Sequence, residues 1–164
     1  MRSQGPERQR IGRVAACSLA ALLLWLPDVA SAQATGGQQS VLVIGTDYAF
    51  TAPDTVAAGP TAFHLANRGT KRHEIALVRA RRGTTAAQIV AAAKAGLPAP
   101  MLAEAYSDGS PMGALFVAPG ERSRATLVAS LERGRLYVIV CTLRDTPTMP
   151  EHAALGMFHV IHVR

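Results

Sequence analysis

Cys141 closes the apolar run Tyr137-Val138-Ile139-Val140; ten residues separate it from His152, four more lead to Met157, and a second apolar run, Phe158 to Val163, follows at once. A thiolate at the end of one strand, with an imidazole and a thioether on the connection to the next, brings three metal donors out of one short segment. Soft sulfur combined with imidazole suits copper, and two nitrogens, one thiolate and a weak axial thioether are the donors of blue electron-transfer sites. That set needs a second imidazole. His73 is the best placed, because it opens the run His73-Glu74-Ile75-Ala76-Leu77-Val78 just after the turn Asn67-Arg68-Gly69. Read singly, each residue has a plainer role: a satisfied histidine, a buried cysteine, a methionine filling core. Their order along the chain is what makes them a set. His159 shares strand parity with Met157 and is a further candidate to approach the site, whereas His64 and His162 read as surface residues. Met101, Met112 and Met149 have no assigned part, and keep a thioether-rich Cu(I) site open as an alternative.

Such donors need strands to hold them. Short apolar runs recur between turn residues at 41–44, 61–67, 73–79, 124–131, 136–140 and 157–163, and a few weaker strands are expected among them. Phe63 and Leu65 alternate with His64. Ala125, Leu127, Ala129 and Leu131 alternate with Arg124, Thr126, Val128 and Ser130, the period of half-buried strands. Asn67-Arg68-Gly69, Pro119-Gly120 and Arg133-Gly134 punctuate the runs, so the expected domain is an all-β, mostly antiparallel sandwich or barrel beginning at Val41. One segment has a different pattern: Thr84 to Ala95 carries a capping threonine, several alanines and Gly96 as a stop, and predicts the only substantial helix. Residues 97–112, with Pro98, Pro100 and Pro111, read as a long irregular connection.

The same pieces resemble the cupredoxins, the family of plastocyanin, azurin and the type 1 domains of copper nitrite reductases. The similarity lies in Ala62-Phe63-His64-Leu65-Ala66-Asn67-Arg68-Gly69 leading to His73, in Ala118-Pro119-Gly120-Glu121 before a strand, in Tyr137 to Cys141, and in His152 to Met157. It covers nearly all of residues 41–163 apart from the helical insertion. The resemblance implies a Greek-key β-sandwich, one copper ion, and His73, Cys141, His152 and Met157 as its ligands. Two departures stand out. The ten-residue stretch between Cys141 and His152 is longer than in plastocyanin and closer to the nitrite reductase type, which leaves His152 free to sit away from Cys141. Glu74 follows His73 where well-known carriers have an asparagine that ties the ligand loops together, and loss of that tie would loosen the site.

The N-terminal stretch reads as a secretory signal. Arg2, Arg8, Arg10 and Arg13 precede the apolar run 14–26, and Ala30-Ser31-Ala32 offers small residues for cleavage, so the predicted mature chain starts near Gln33 with a flexible polar lead over 33–40 and the domain over 41–164. Most of the apolar run follows Cys17, the wrong order for lipidation, so Cys17 is expected to leave with the signal. An exported chain with Cys141 alone makes no internal disulfide, so the thiol calls for another use. Removing 1–32 lowers the formal net charge from +6 to about +4. This balance suits an acidic redox partner protein, of which a c-type cytochrome is an example, and equally a solvated surface. Scattered basic residues without interleaved aromatics argue against nucleic acid. No nucleophile elbow, phosphate loop or His-x-His pair is present, so an enzyme, including a multicopper oxidase, is not expected. The leading expectation is a periplasmic or secreted one-electron carrier. Its alternatives are a Cu(I) carrier or chaperone, and a metal-free module of the same fold serving as an interaction domain.

Overall fold

The computed structural model describes residues 37–164. The predicted signal over 1–32 lies outside them. Nine strands form two sheets. The first contains β1 (Gln39–Thr46), β2 (Ala49–Thr51), β4 (Gly59–Asn67) and β7 (Leu127–Leu131) in the order β2-β1-β4-β7. The second contains β3 (Thr55–Val56), β5 (His73–Arg79), β6 (Gly113–Val117), β8 (Leu136–Val140) and β9 (Phe158–Val163) in the order β3-β9-β8-β5-β6. The chain crosses from sheet to sheet at β2–β3, β3–β4, β4–β5, β6–β7 and β7–β8, giving the expected Greek-key sandwich. The six predicted strands are present and β2, β3 and β6 are the weaker ones. The pairing is mostly antiparallel, as expected, but β1 pairs parallel to β4 over 39–45 and β3 parallel to β9, so both sheets are mixed. The predicted lead is also too long by two residues. Gln39 and Ser40 already belong to β1, where the Gln39 amide donates to the Ala57 carbonyl and to Thr61 Oγ1 (2.7 Å).

Alternation explains the core. Val41 and Val43 of β1, Phe63 and Leu65 of β4, Ile75 and Leu77 of β5, Leu127, Ala129 and Leu131 of β7, Tyr137 and Ile139 of β8, and Ile161 and Val163 of β9 interdigitate between the sheets. Full burial of such a side chain is worth roughly 1.5–3 kcal/mol. The Tyr137 hydroxyl stays satisfied by accepting the Glu132 amide across the β7–β8 turn (3.0 Å).

β5 is buried on both faces, because its second face lies under the insertion. Helix α1 (Ala86–Lys94) has the predicted threonine cap, Thr85, in a reciprocal box with Gln88, and ends before Gly96 at φ 77°. A second helix, α2 (Ala99–Tyr106), occupies part of the stretch expected to be irregular. Its prolines fall at the N-cap and in the first turn, where a missing N–H costs nothing, so they start the helix instead of breaking it. Ala99 packs with Ala76, Val78, Val140 and Ala153 on the outer face of the second sheet. The end of the insertion is fixed by buried Arg135, which donates to the Ala80 carbonyl (2.8 Å) and pairs with Asp108. Among the described residues no helix is long and apolar enough to cross a membrane.

Candidate metal centre

Cys141 immediately follows β8 and His73 begins β5; the two strands pair antiparallel with Ala76 opposite Val140, so the end of one lies beside the start of the other and both donors sit at one end of the second sheet. His152 opens a 3₁₀ turn, His152–Leu155, and Met157 lies just before β9. All four side chains are buried. One donor atom from each of His73, Cys141 and His152 lies within 4.8 Å of the others. His73 Nδ1 stands 3.3 Å from His152 Nδ1, and Cys141 Sγ 3.4 Å from the same His152 atom. The Met157 methyl and the His73 ring converge over Gly45: a Cβ there would lie 3.4 Å from Met157 Cε and 3.7 Å from His73 Cδ2. The backbone closes the group, with the Cys141 amide donating to the Met157 carbonyl (3.1 Å) and the Met157 amide to the His152 carbonyl (2.9 Å).

The long connection returns His152 to Cys141 because it is braced from within and from outside. The His152 amide donates to the Leu143 carbonyl and the Ala153 amide to the Cys141 carbonyl, both at 2.8 Å. Arg144 donates to the Met149 carbonyl (2.8 Å) and to Glu151 Oε1 (3.1 Å), and Glu151 Oε2 accepts the Ala99 amide at the start of α2 (2.8 Å). Ala153, fully buried, fills the space beneath the insertion. The second departure is likewise compensated. Glu74 Oε1 accepts the Thr142 amide (2.8 Å) and the Thr142 hydroxyl, so a carboxylate ties the residue after His73 to the residue after Cys141. The expectation that the site loosens without asparagine is corrected on that contact.

Both imidazoles present Nδ1 inward and Nε2 outward. His73 Nε2 meets Asp47 Oδ1 at 3.3 Å and His152 Nε2 meets Asp145 Oδ1 at 3.1 Å. A carboxylate at Nε2 favours the N–H there and leaves the Nδ1 lone pair facing the centre. The Cys141 S–H has one proton to share between these two inward lone pairs, whereas a cation satisfies both nitrogens and the sulfur. Donors about 2.0–2.3 Å from a metal in a trigonal or tetrahedral array stand about 3.3–3.8 Å apart, the spacing of His152 Nδ1 from His73 Nδ1 and from Cys141 Sγ. The donor set therefore fits one copper ion of the type 1 kind.

Charge follows the same plan. Burial pushes the Cys141 thiol from 9.0 up to about 11, so without metal it is protonated at neutral pH and is no activated nucleophile; a coordinated cation displaces that proton. Burial also lowers the pKa of His73, only partly offset by Asp47, which keeps the imidazole neutral and able to ligate. Asp47 is held down to about 2, chiefly by the Thr70 hydroxyl and further by the Thr70 and Lys71 amides. The Tyr48 hydroxyl donates to Asp145 Oδ2, depressing that carboxyl and raising its own pKa, while its ring packs edge-on against His152 at 5.1 Å.

Thus the structure brings together all four predicted site residues. His159 is not among them: it lies 3.3 Å from Asp54. Met101 is exposed on α2, and Met112 is hydrogen-bonded to Leu77 at the end of β5 remote from His73. Sequence reasoning missed Asp47, Tyr48 and Asp145, which no spacing marks.

This is the two-sheet sandwich that the cupredoxin resemblance implied. The chain matches no family signature and no curated protein. Among solved structures it is similar to a dithionite-reduced auracyanin from the photosynthetic bacterium Roseiflexus castenholzii, at 21% identity over 79% of this chain and 99% of that one with a TM-score of 0.48. It is similar also to the azurin Az-iso2 of Methylomonas sp. strain J, at 13% identity over 78% and 99% of the two chains with a TM-score of 0.45. A reduced rusticyanin aligns at 19% identity over 78% of this chain and 81% of that one, TM-score 0.48. At these values they add nothing to the donor geometry of this chain.

Proposed function

We propose that this chain is an exported cupredoxin-like electron carrier, in which His73, Cys141 and His152 hold one copper ion and Met157 lies on its axis. The observation that carries this reading is the convergence of two inward Nδ1 atoms and a buried sulfur, with both Nε2 atoms engaged by carboxylates. Copper in such a set passes one electron with little rearrangement, because the mixture of imidazole, thiolate and thioether is acceptable to both oxidation states. The protein's part is to fix and shield. Asp47 and Asp145 orient the imidazoles, Glu74 joins the two ligand-bearing segments, and burial excludes water from the sulfur.

Residues 1–32 act as the export signal in this reading, and the modestly basic mature domain meets an acidic redox partner. Export is tested by intact mass, which should correspond to a chain starting near Gln33. The ligand set is tested by substitution. Cys141→Ala should abolish the intense visible thiolate band and most copper affinity, since that bond is the most covalent. His73→Ala or His152→Ala should leave some copper bound with a shifted, more tetragonal spectrum. Met157→Leu should keep the colour and raise the reduction potential. An unchanged spectrum in His152→Ala would remove that residue from the set.

A further inference from the structure

Three carboxylates stand behind the donors, but they differ in how much of their charge reaches the centre. Asp47 is 34% exposed and Asp145, at 12%, has Lys71 Nζ 3.9 Å away. Glu74 is 4% exposed, and among the described residues it forms no ion pair. Among the described residues the donors to its carboxylate are the Thr142 N–H and O–H, both on Oε1. Its own amide N–H points at Cys141 Sγ, 3.5 Å away. Glu74 thus follows one donor directly, bonds the neighbour of a second, and donates to the sulfur of that second.

On the copper reading given above, we propose that Glu74 is a positioning residue with two separable effects: its oxygen joins the His73 and Cys141 segments, and its buried negative charge holds the centre toward the oxidised ion. Adding an electron to the metal raises the local negative charge. A nearby fixed anion opposes that step, and it does so more strongly where water does not screen it. A neutral amide in the same place would accept the same two Thr142 hydrogens without the opposition. Geometry alone therefore does not call for a carboxylate here; the charge is the additional contribution.

Glu74→Gln separates the effects. The glutamine oxygen can accept both Thr142 donors, so the visible band should remain while the ratio of Cu(I) to Cu(II) at a fixed solution potential rises at least tenfold, a reduction potential higher by about 59 mV for a one-electron couple. Glu74→Ala loses the acceptor as well. The buried Thr142 contact is then broken, and the copper-free protein should lose thermal stability that Glu74→Gln retains. Thr142→Ala shifts the potential the other way, because removing a hydroxyl donor leaves the Glu74 charge less compensated. A Cu(I) to Cu(II) ratio in Glu74→Gln less than tenfold above wild type would overturn the proposal, as would a rise in the potential of Thr142→Ala. Should Glu74→Gln fail to fold, the sign in Thr142→Ala decides alone. Failure of the underlying reading looks different: wild-type protein would then show no thiolate band in any oxidation state, and both proposals would fall together.

Discussion

Replacing Glu151 with alanine should destabilise the copper-free protein by about 1–4 kcal/mol, although the residue is no ligand. Glu151 is 8% exposed and serves two partners: Oε2 accepts the Ala99 amide at 2.8 Å and Oε1 the Arg144 guanidinium at 3.1 Å. Arg144, 43% exposed, can turn to water when its partner goes. Ala99 cannot, because it is buried against the outer face of the second sheet, and an unpaired buried donor costs about 1–3 kcal/mol. The lost carboxylate also stood at the N-terminus of α2, where a negative charge contributes about 0.3–1 kcal/mol. For a domain of this size the sum corresponds to a midpoint roughly 10 °C lower. Urea and thermal unfolding of the apoprotein would measure it, with Glu151→Gln as the control that keeps an acceptor for Ala99. Stability within about 0.5 kcal/mol of wild type in Glu151→Ala would refute the idea that the insertion braces the ligand connection.

Gly69→Ala should disturb the site from the other side. Its Cβ would stand 2.3 Å from Asp47 Oδ1, 2.9 Å from His73 Nε2 and 3.0 Å from the Asp47 amide, so Asp47 must leave His73 and Thr70; a copper affinity lower by about 10–100-fold, measured by competition with a chelator, is expected. The stability of the copper-free protein should fall between pH 9 and 11. There the unfolded chain has released the Cys141 proton and the folded chain still holds it, so the slope is negative, at most about 1.4 kcal/mol per pH unit, and flat below that window. Subtracting the profile of Cys141→Ala isolates this contribution from the tyrosines and lysines, and identical slopes in the two proteins would contradict it.

Much of this was legible along the chain because the decisive residues are local. Cys141, His152 and Met157 belong to one connection, and the alternation in 61–67 and 127–131 marks which side chains face the core. What was not legible depends on distant pairing. Nothing in β1 announces a parallel neighbour, and α2 hides behind prolines that read as breakers until their position in the first turn is known. Tyr48 and Asp145 are 97 residues apart, and Asp47 reaches His73 across 26. Glu74 is the instructive case: the chain shows a missing asparagine, and only the fold shows that a carboxylate oxygen makes the contact.

The central claim is that these side chains form one copper site within the domain. Titrating the purified mature protein with Cu(II), while recording the visible spectrum and the bound metal, tests it most directly. One equivalent of copper should bind, with an intense thiolate band that reaches its plateau at that equivalent and bleaches on one-electron reduction. A folded protein that takes up no copper, or that binds it without the thiolate band, would contradict the account.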